Sequence, residues 1–124
     1  MSAKAMAGVS MTQAQGCLVV TLQADLSDEA FNGVHQAVAE RLIERQSDAA
    51  IFDFSGVPIL DAYEFERVAR LARVAGLLGA RVALVGLTPG IAAFLAHADV
   101  DTEGMRFCLQ MEDAFALLAG LRSV

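Results

Sequence analysis

Strand-length apolar runs that alternate with segments of helical spacing constrain this chain more than any other feature. The runs are "CLVVTLQA" (Cys17 to Ala24), "AAIFDF" (Ala49 to Phe54), "RVALVGL" (Arg81 to Leu87) and "MRFCLQ" (Met105 to Gln110). Continuous apolar stretches of this length suit strands buried on both faces, whereas apolar residues three and four apart suit one face of a helix. After the first run, Phe31, Val34, Val38 and Leu42 keep helical spacing to about Arg45, with Ser27 as N-cap. Asp28 and Glu29 then lie at the positive end of that helix dipole. After the second, Val68, Leu71, Ala72, Ala75 and Leu78 mark a helix that starts at Ala62 and is stopped by Gly79. Thr88 and Pro89 read as N-cap and first residue of a helix through about His97. Met111 to Leu121 reads as a last helix, with Glu112 and Asp113 in its first turn. Ahead of them all, Val9 to Thr12, the turn-like "QAQG" (Gln13 to Gly16) and the first apolar run suggest a β-hairpin. Strand and helix alternating at these lengths call for right-handed crossovers and a parallel sheet, to which the hairpin adds one antiparallel pair. The fold class expected is therefore α/β, a single small domain with a mixed, mostly parallel β-sheet of four to five strands and four helices.

A chain of 124 residues can bury one core but not two. Hydrophobic residues make up 56% of it and the mean hydropathy is +0.50. No apolar run is long enough to cross a bilayer, so the excess belongs to a core or to an interface with a partner. The net charge of −6 disfavours non-specific nucleic-acid or anionic-membrane binding, which needs clustered positive charge. Arg41, Arg45, Arg67, Arg70, Arg73 and Arg81 are spread out and interleaved with Glu, which reads as a solvated face. "MSAKAMAG" lacks the apolar centre of a secretory signal, so residues 1–8 are expected to be a flexible N-terminus and the protein cytoplasmic. Cys17 and Cys108 each lie inside an apolar run and read as buried reduced thiols.

The chemistry of most enzyme classes is missing. Neither G-x-x-x-x-G-K-[ST] nor G-x-G-x-x-G occurs, so a phosphate-cradling loop has no support. Two distant cysteines with His35 and His97 make no metal set. His35 is placed mid-helix facing solvent and His97 near a helix end, where its charge suits the dipole. A phosphoacceptor receiver domain would need an acidic pair after its first core strand and a Lys after a late one. "VVTLQAD" offers only Asp25, and "VALVGLT" has no Lys. No cofactor and no catalytic residue is expected.

One turn stands out. In "IFDFSGVPILDAYEFERVA" (Ile51 to Ala69) a buried strand passes through the turn residues "SGVP" into a helix whose start fits a capping box. Asp61 would accept from first-turn N–H groups and Glu64 would reach back to the Asp61 amide. A helix amino end also favours negative charge, so a hydroxyl just after Asp61 would be an exposed place for a phosphate. Phosphate there would set about two negative charges beside Asp61 and Glu64 and turn a docking surface into a repulsive one. The residue in that place is Ala62.

Here the chain resembles the STAS domain (sulfate transporter and anti-sigma factor antagonist). "CLVVTLQADLSDEAF" resembles the second strand and first helix of the stressosome scaffold, RsbS-like type. "IFDFSGVPILDA" resembles the strand and turn that carry a phosphorylatable Ser or Thr after Asp in that family. "GLLGARVALVGLTPGIAAFLAHADVD" resembles its next helix-strand-helix unit. The likeness runs from about Val9 to Leu121 and implies a STAS-like domain over residues 9–124. It implies further that Asp61 matches the Asp before the phosphosite and that Ala62 stands in place of the phosphoacceptor. Tyr63 then stands where an apolar residue or a second small hydroxyl is usual. Two origins fit Ala62: a natural non-phosphorylatable paralogue, or a Ser replaced by design. Ser55 and Thr88 are residual hydroxyls whose roles as turn and cap residues outweigh switching.

The function the resemblance implies is a non-enzymatic partner-switching module for signal transduction in a stress response. It would bind a switch-protein kinase, an anti-sigma factor or paralogous STAS sensor subunits through Asp61, Ala62, Tyr63 and Glu64, within a homo- or hetero-oligomer. An alternative is a STAS subunit of an ABC-type lipid-transport complex docked on its ATPase, for which Ala62 would be unremarkable. A small-ligand or nucleotide binder is a third reading, with no loop here to predict it.

Overall fold

A computed structural model describes residues 9–23, 27–44, 47–57, 61–97 and 105–122. Residues 1–8, Ala24 and Arg45, on which parts of the sequence reading fall, lie outside the described residues.

The chain opens with strands β1 (Val9–Ala14) and β2 (Cys17–Gln23), paired antiparallel with Ala14 opposite Cys17. The first arm is thus longer than the sequence suggested, and the turn shrinks to Gln15 and Gly16. Both have positive φ, 53° and 78°, the backbone twist that lets two residues join right-twisted strands. Then follow α1 (Asp28–Ile43), β3 (Ala49–Gly56), α2 (Ala62–Leu77), β4 (Arg81–Val85), α3 (Pro89–His97), β5 (Arg106–Cys108) and α4 (Met111–Arg122). The sheet has five strands in the order β1-β2-β3-β4-β5, parallel from β2 onward. Three expected strand ends move, two of them because pairing, not composition, decides them and one because a glycine turns the chain. β3 continues through Ser55 and Gly56, since Gly56 pairs with Gln23. β4 stops at Val85 because Gly86 turns to φ +84°. β5 keeps only the three residues that find partners on β4.

Each strand from β2 to β5 lies beside the one before it, so every right-handed crossover steps the same way and puts its helix on the same face. The core follows. On that face Leu18, Val20, Leu22, Ala50, Phe52, Phe54, Val82 and Leu84 meet Phe31, Val34, Val38 and Leu42 of α1. Phe65, Val68, Leu71, Ala72 and Ala75 of α2, with Ile91 and Leu95 of α3, complete the cluster. Phe52, Phe54 and Phe65 are fully buried there, each contributing about 1.5–3 kcal/mol by leaving water. α4 is no crossover and is free to cover the other face, where Ala114 and Leu118 pack on Cys17, Val19, Ala49, Ile51, Ala83 and Val85.

Two expectations about the core need correction. Leu78 is not on the buried stripe: it is the C-cap of α2 and 40% exposed, because the chain has already left helical geometry towards Gly79 at φ +94°. Cys17 is buried but Cys108 only half-buried, since the edge strand β5 is covered less completely; both are free thiols. No helix among the described residues is long and apolar enough to cross a membrane.

Candidate functional site

The connection from β3 delivers the chain to α2 with its amino end on the surface. Asp61 is the N-cap, in extended geometry, and its Oδ1 accepts from the Glu64 amide at 2.7 Å. The Asp61 amide donates to Glu64 Oε1 at 3.2 Å, which completes the capping box that the D-x-x-E spacing predicts. The Phe65 amide closes the first helical turn on the Asp61 carbonyl at 3.0 Å. Asp61, Ala62 and Tyr63 are exposed and Glu64 is half-buried, so the four form one continuous surface turn. Ala62 presents a bare methyl at the first helical position.

Ser55, next to last in β3, and Thr88, just after β4, lie at the same end of the parallel strands as Asp61, but each is engaged locally. The Ser55 hydroxyl and amide both donate to Asp53 Oδ1, at 2.6 and 2.9 Å. The Gly86 Cα packs so closely on Ser55 that a Cβ there would lie 2.6 Å from the hydroxyl oxygen. Thr88 caps α3: its Oγ1 accepts from the Ile91 amide at 3.1 Å and its carbonyl from the Ala92 amide at 2.9 Å.

Three residues not read as part of the site from sequence adjoin it. Tyr63 Oη donates to Asp28 Oδ1 at 2.9 Å, and Arg67 Nη1 donates to the same oxygen at 2.8 Å. The Arg67 guanidinium lies 4.7 Å from the centre of the Phe31 ring and 5.4 Å from that of Tyr63. Arg67 therefore does not belong to a solvated face as expected. Its side chain is only 16% exposed, because two rings and a carboxylate hold it in the seam between α1 and α2. Accepting its proton, the Asp28 carboxylate holds Tyr63 above the usual tyrosine pKa, by the bond first and by its charge second. The signal was in the spacing, since Asp28 and Phe31 lie three apart on one helix and Tyr63 and Arg67 four apart on the next. Nothing local said that the two pairs would meet.

The turn brings a capped helix end, an exposed aromatic ring, carboxylates and a methyl group onto one surface. Comparison with known proteins agrees with the fold. No curated protein matches the chain. Among solved structures, RsbS of Moorella thermoacetica with a serine-to-glutamate substitution superposes with a TM-score of 0.79 at 20% identity, covering 94% of this chain and 98% of that one. A chain from a structure described as the molecular architecture of the stressosome gives 0.80 at 20% identity, covering 93% and 100%. The anti-sigma factor antagonist SpoIIAA in its unphosphorylated form gives 0.65 at 13% identity, covering 94% and 99%. The family model for the STAS domain matches residues 8–114, nearly the whole length, and the chain belongs to that family.

Proposed function

We propose that this protein is a non-enzymatic interaction module of the anti-sigma-factor-antagonist or stressosome kind that docks partners at the amino end of α2. The observation that carries the reading is the exposed, fully capped turn Asp61–Glu64 with Ala62 at its first helical position. On this reading Ala62 stands where such a module would carry a phosphoacceptor. A phosphate on that residue would feel the helix dipole as attraction and Asp61 and Glu64 as repulsion, and would change what the surface accepts. With a methyl group instead, the surface keeps one charge state and docking is constitutive or controlled elsewhere. A switch-protein kinase, an anti-sigma factor or paralogous STAS subunits in the cytoplasm fit such a surface. The solved relatives described as a stressosome and as an anti-sigma factor antagonist support this choice of partners.

The test pairs the protein and its Ala62→Ser variant with the genomically adjacent switch-protein kinase and ATP. Label is expected on the Ser variant alone. Equal label on both would move the acceptor to another hydroxyl. Pull-down of the same kinase by wild type and by Ala62→Asp completes the test, with capture lost on the Asp variant. A kinase held equally by both docks elsewhere.

A further inference from the structure

The amino end of α2 is joined to that of α1 through a single carboxylate oxygen. Asp28, the first residue of α1, lies just after its N-cap Ser27, and its Oδ1 receives both the Tyr63 hydroxyl and the Arg67 guanidinium. Tyr63 is the second residue of α2, beside Ala62, and the residue is 61% exposed. A ring that open has little packing of its own to orient it. Its hydroxyl on Asp28 and its face towards Arg67 supply the orientation, while Phe31 beneath Arg67 fixes the guanidinium. We infer that Asp28 is a positioning residue whose carboxylate fixes the Tyr63 ring beside Ala62 and couples the first turns of α1 and α2 into one unit. This deepens the docking reading and rests on it only for the use a partner makes of the surface.

A bond between exposed groups is weak by itself. Here both contacts depend on one acceptor, so a change at Asp28 removes both at once. Coupling of this kind is reciprocal: whatever Asp28 does for the first turn of α2, Tyr63 must do for the first turn of α1. That reciprocity separates a coupled unit from a surface contact of no consequence.

Tyr63 is the only tyrosine and the chain has no tryptophan, so phenol absorbance and intrinsic fluorescence report this residue alone. Its titration is raised in the folded chain, first by the bond to Asp28 and then by the charge of Asp28. The contact therefore adds stability below about pH 10, where unfolded tyrosine is protonated, and loses it as pH rises through the higher folded midpoint. Asp28→Asn keeps the shape and removes the charge. In the free chain it is expected to lower the Tyr63 midpoint and the fluorescence anisotropy. It should also speed hydrogen exchange of the Glu64 and Phe65 amides about two- to tenfold, both of which bond to Asp61. Tyr63→Phe is expected to speed the Ala30 and Phe31 amides, which bond to Ser27, by a comparable factor. Asp28→Glu should restore part of each effect. An unchanged Tyr63 titration in Asp28→Asn would overturn the inference. So would a shifted titration with the α2 amides unmoved, or Tyr63→Phe leaving α1 untouched. All these readouts use the isolated protein, so failure to capture the kinase counts against docking alone, and loss of coupling with capture intact counts against this inference alone.

Discussion

Replacing Gly86 by alanine tests how the loops at the carboxyl end of the sheet are held. Gly86 has φ +84°, where an L side chain costs about 1–2 kcal/mol. Its environment adds more. A Cβ there would lie 2.6 Å from the Ser55 hydroxyl oxygen, 2.9 Å from the Ser55 nitrogen and 3.2 Å from its Cα. The hydroxyl can rotate away, but the nitrogen and Cα are backbone of β3 and can retreat only if the strand end moves. Overpacking of that sort costs about 1–3 kcal/mol. A stiffer unfolded chain returns about 0.4–1 kcal/mol, so the net destabilisation expected is about 2–4 kcal/mol, a large share of the about 5–15 kcal/mol that holds a domain together. Gly79 is the control. Its φ is +94°, but a Cβ there meets nothing within 4 Å, so Gly79→Ala should cost only about 0.5–1.5 kcal/mol. Urea unfolding of the two variants gives the difference, about 1–3 kcal/mol, as the contribution of the close approach. Equal costs would refute the reasoning, and so would complete rescue of Gly86→Ala by Ser55→Ala, which removes the hydroxyl but leaves the backbone contacts in place.

Further outcomes follow from the same geometry. Asp61→Ala removes the acceptor of the Glu64 amide and should cost about 1 kcal/mol, most of it recovered in Asp61→Asn; urea midpoints of the two variants decide the matter. Arg81→Met keeps the stem but removes the guanidinium, which bonds to the Leu118 carbonyl and to Asp48 Oδ1 at 2.5 Å. It should cost about 1–3 kcal/mol and speed hydrogen exchange in α4 more than elsewhere. Asp48→Asn should cost less than that, since the Asp48 side chain is 59% exposed.

What could be read from the sequence divides along a physical line. Ser27, Asp61 with Glu64, and Thr88 with Pro89 declare helix starts because capping is local chemistry, completed within about four residues. The apolar stripes of α1 and α2 were legible for a similar reason: a helix imposes its own period whatever it packs on. Most strand ends were not, because a strand lasts as long as its neighbour offers partners, and nothing near Ser55 says where Gln23 will be. Arg67 shows the limit most clearly. Among glutamates on α2 it reads as solvated, and only the meeting of α1 with α2 turns it into the centre of a cluster with Asp28, Phe31 and Tyr63.

The same division bears on Ala62. The capping-box bonds that start α2 run between Asp61 and Glu64, and the exposed Ala62 methyl takes no part in them. A hydroxyl at that position is therefore neither demanded nor opposed by the fold, and its presence or absence is open to selection by partners alone. Ala62→Ser should accordingly shift stability by no more than about 0.5 kcal/mol, the range of an exposed substitution away from caps and core. If thermal and urea unfolding instead show a change above about 1 kcal/mol, the residue is tied to folding. Its identity would then say nothing about phosphorylation. If stability is unchanged while the kinase labels only the serine variant, the methyl group has no structural reason to be there, and its consequence is the fixed charge of the surface it sits on.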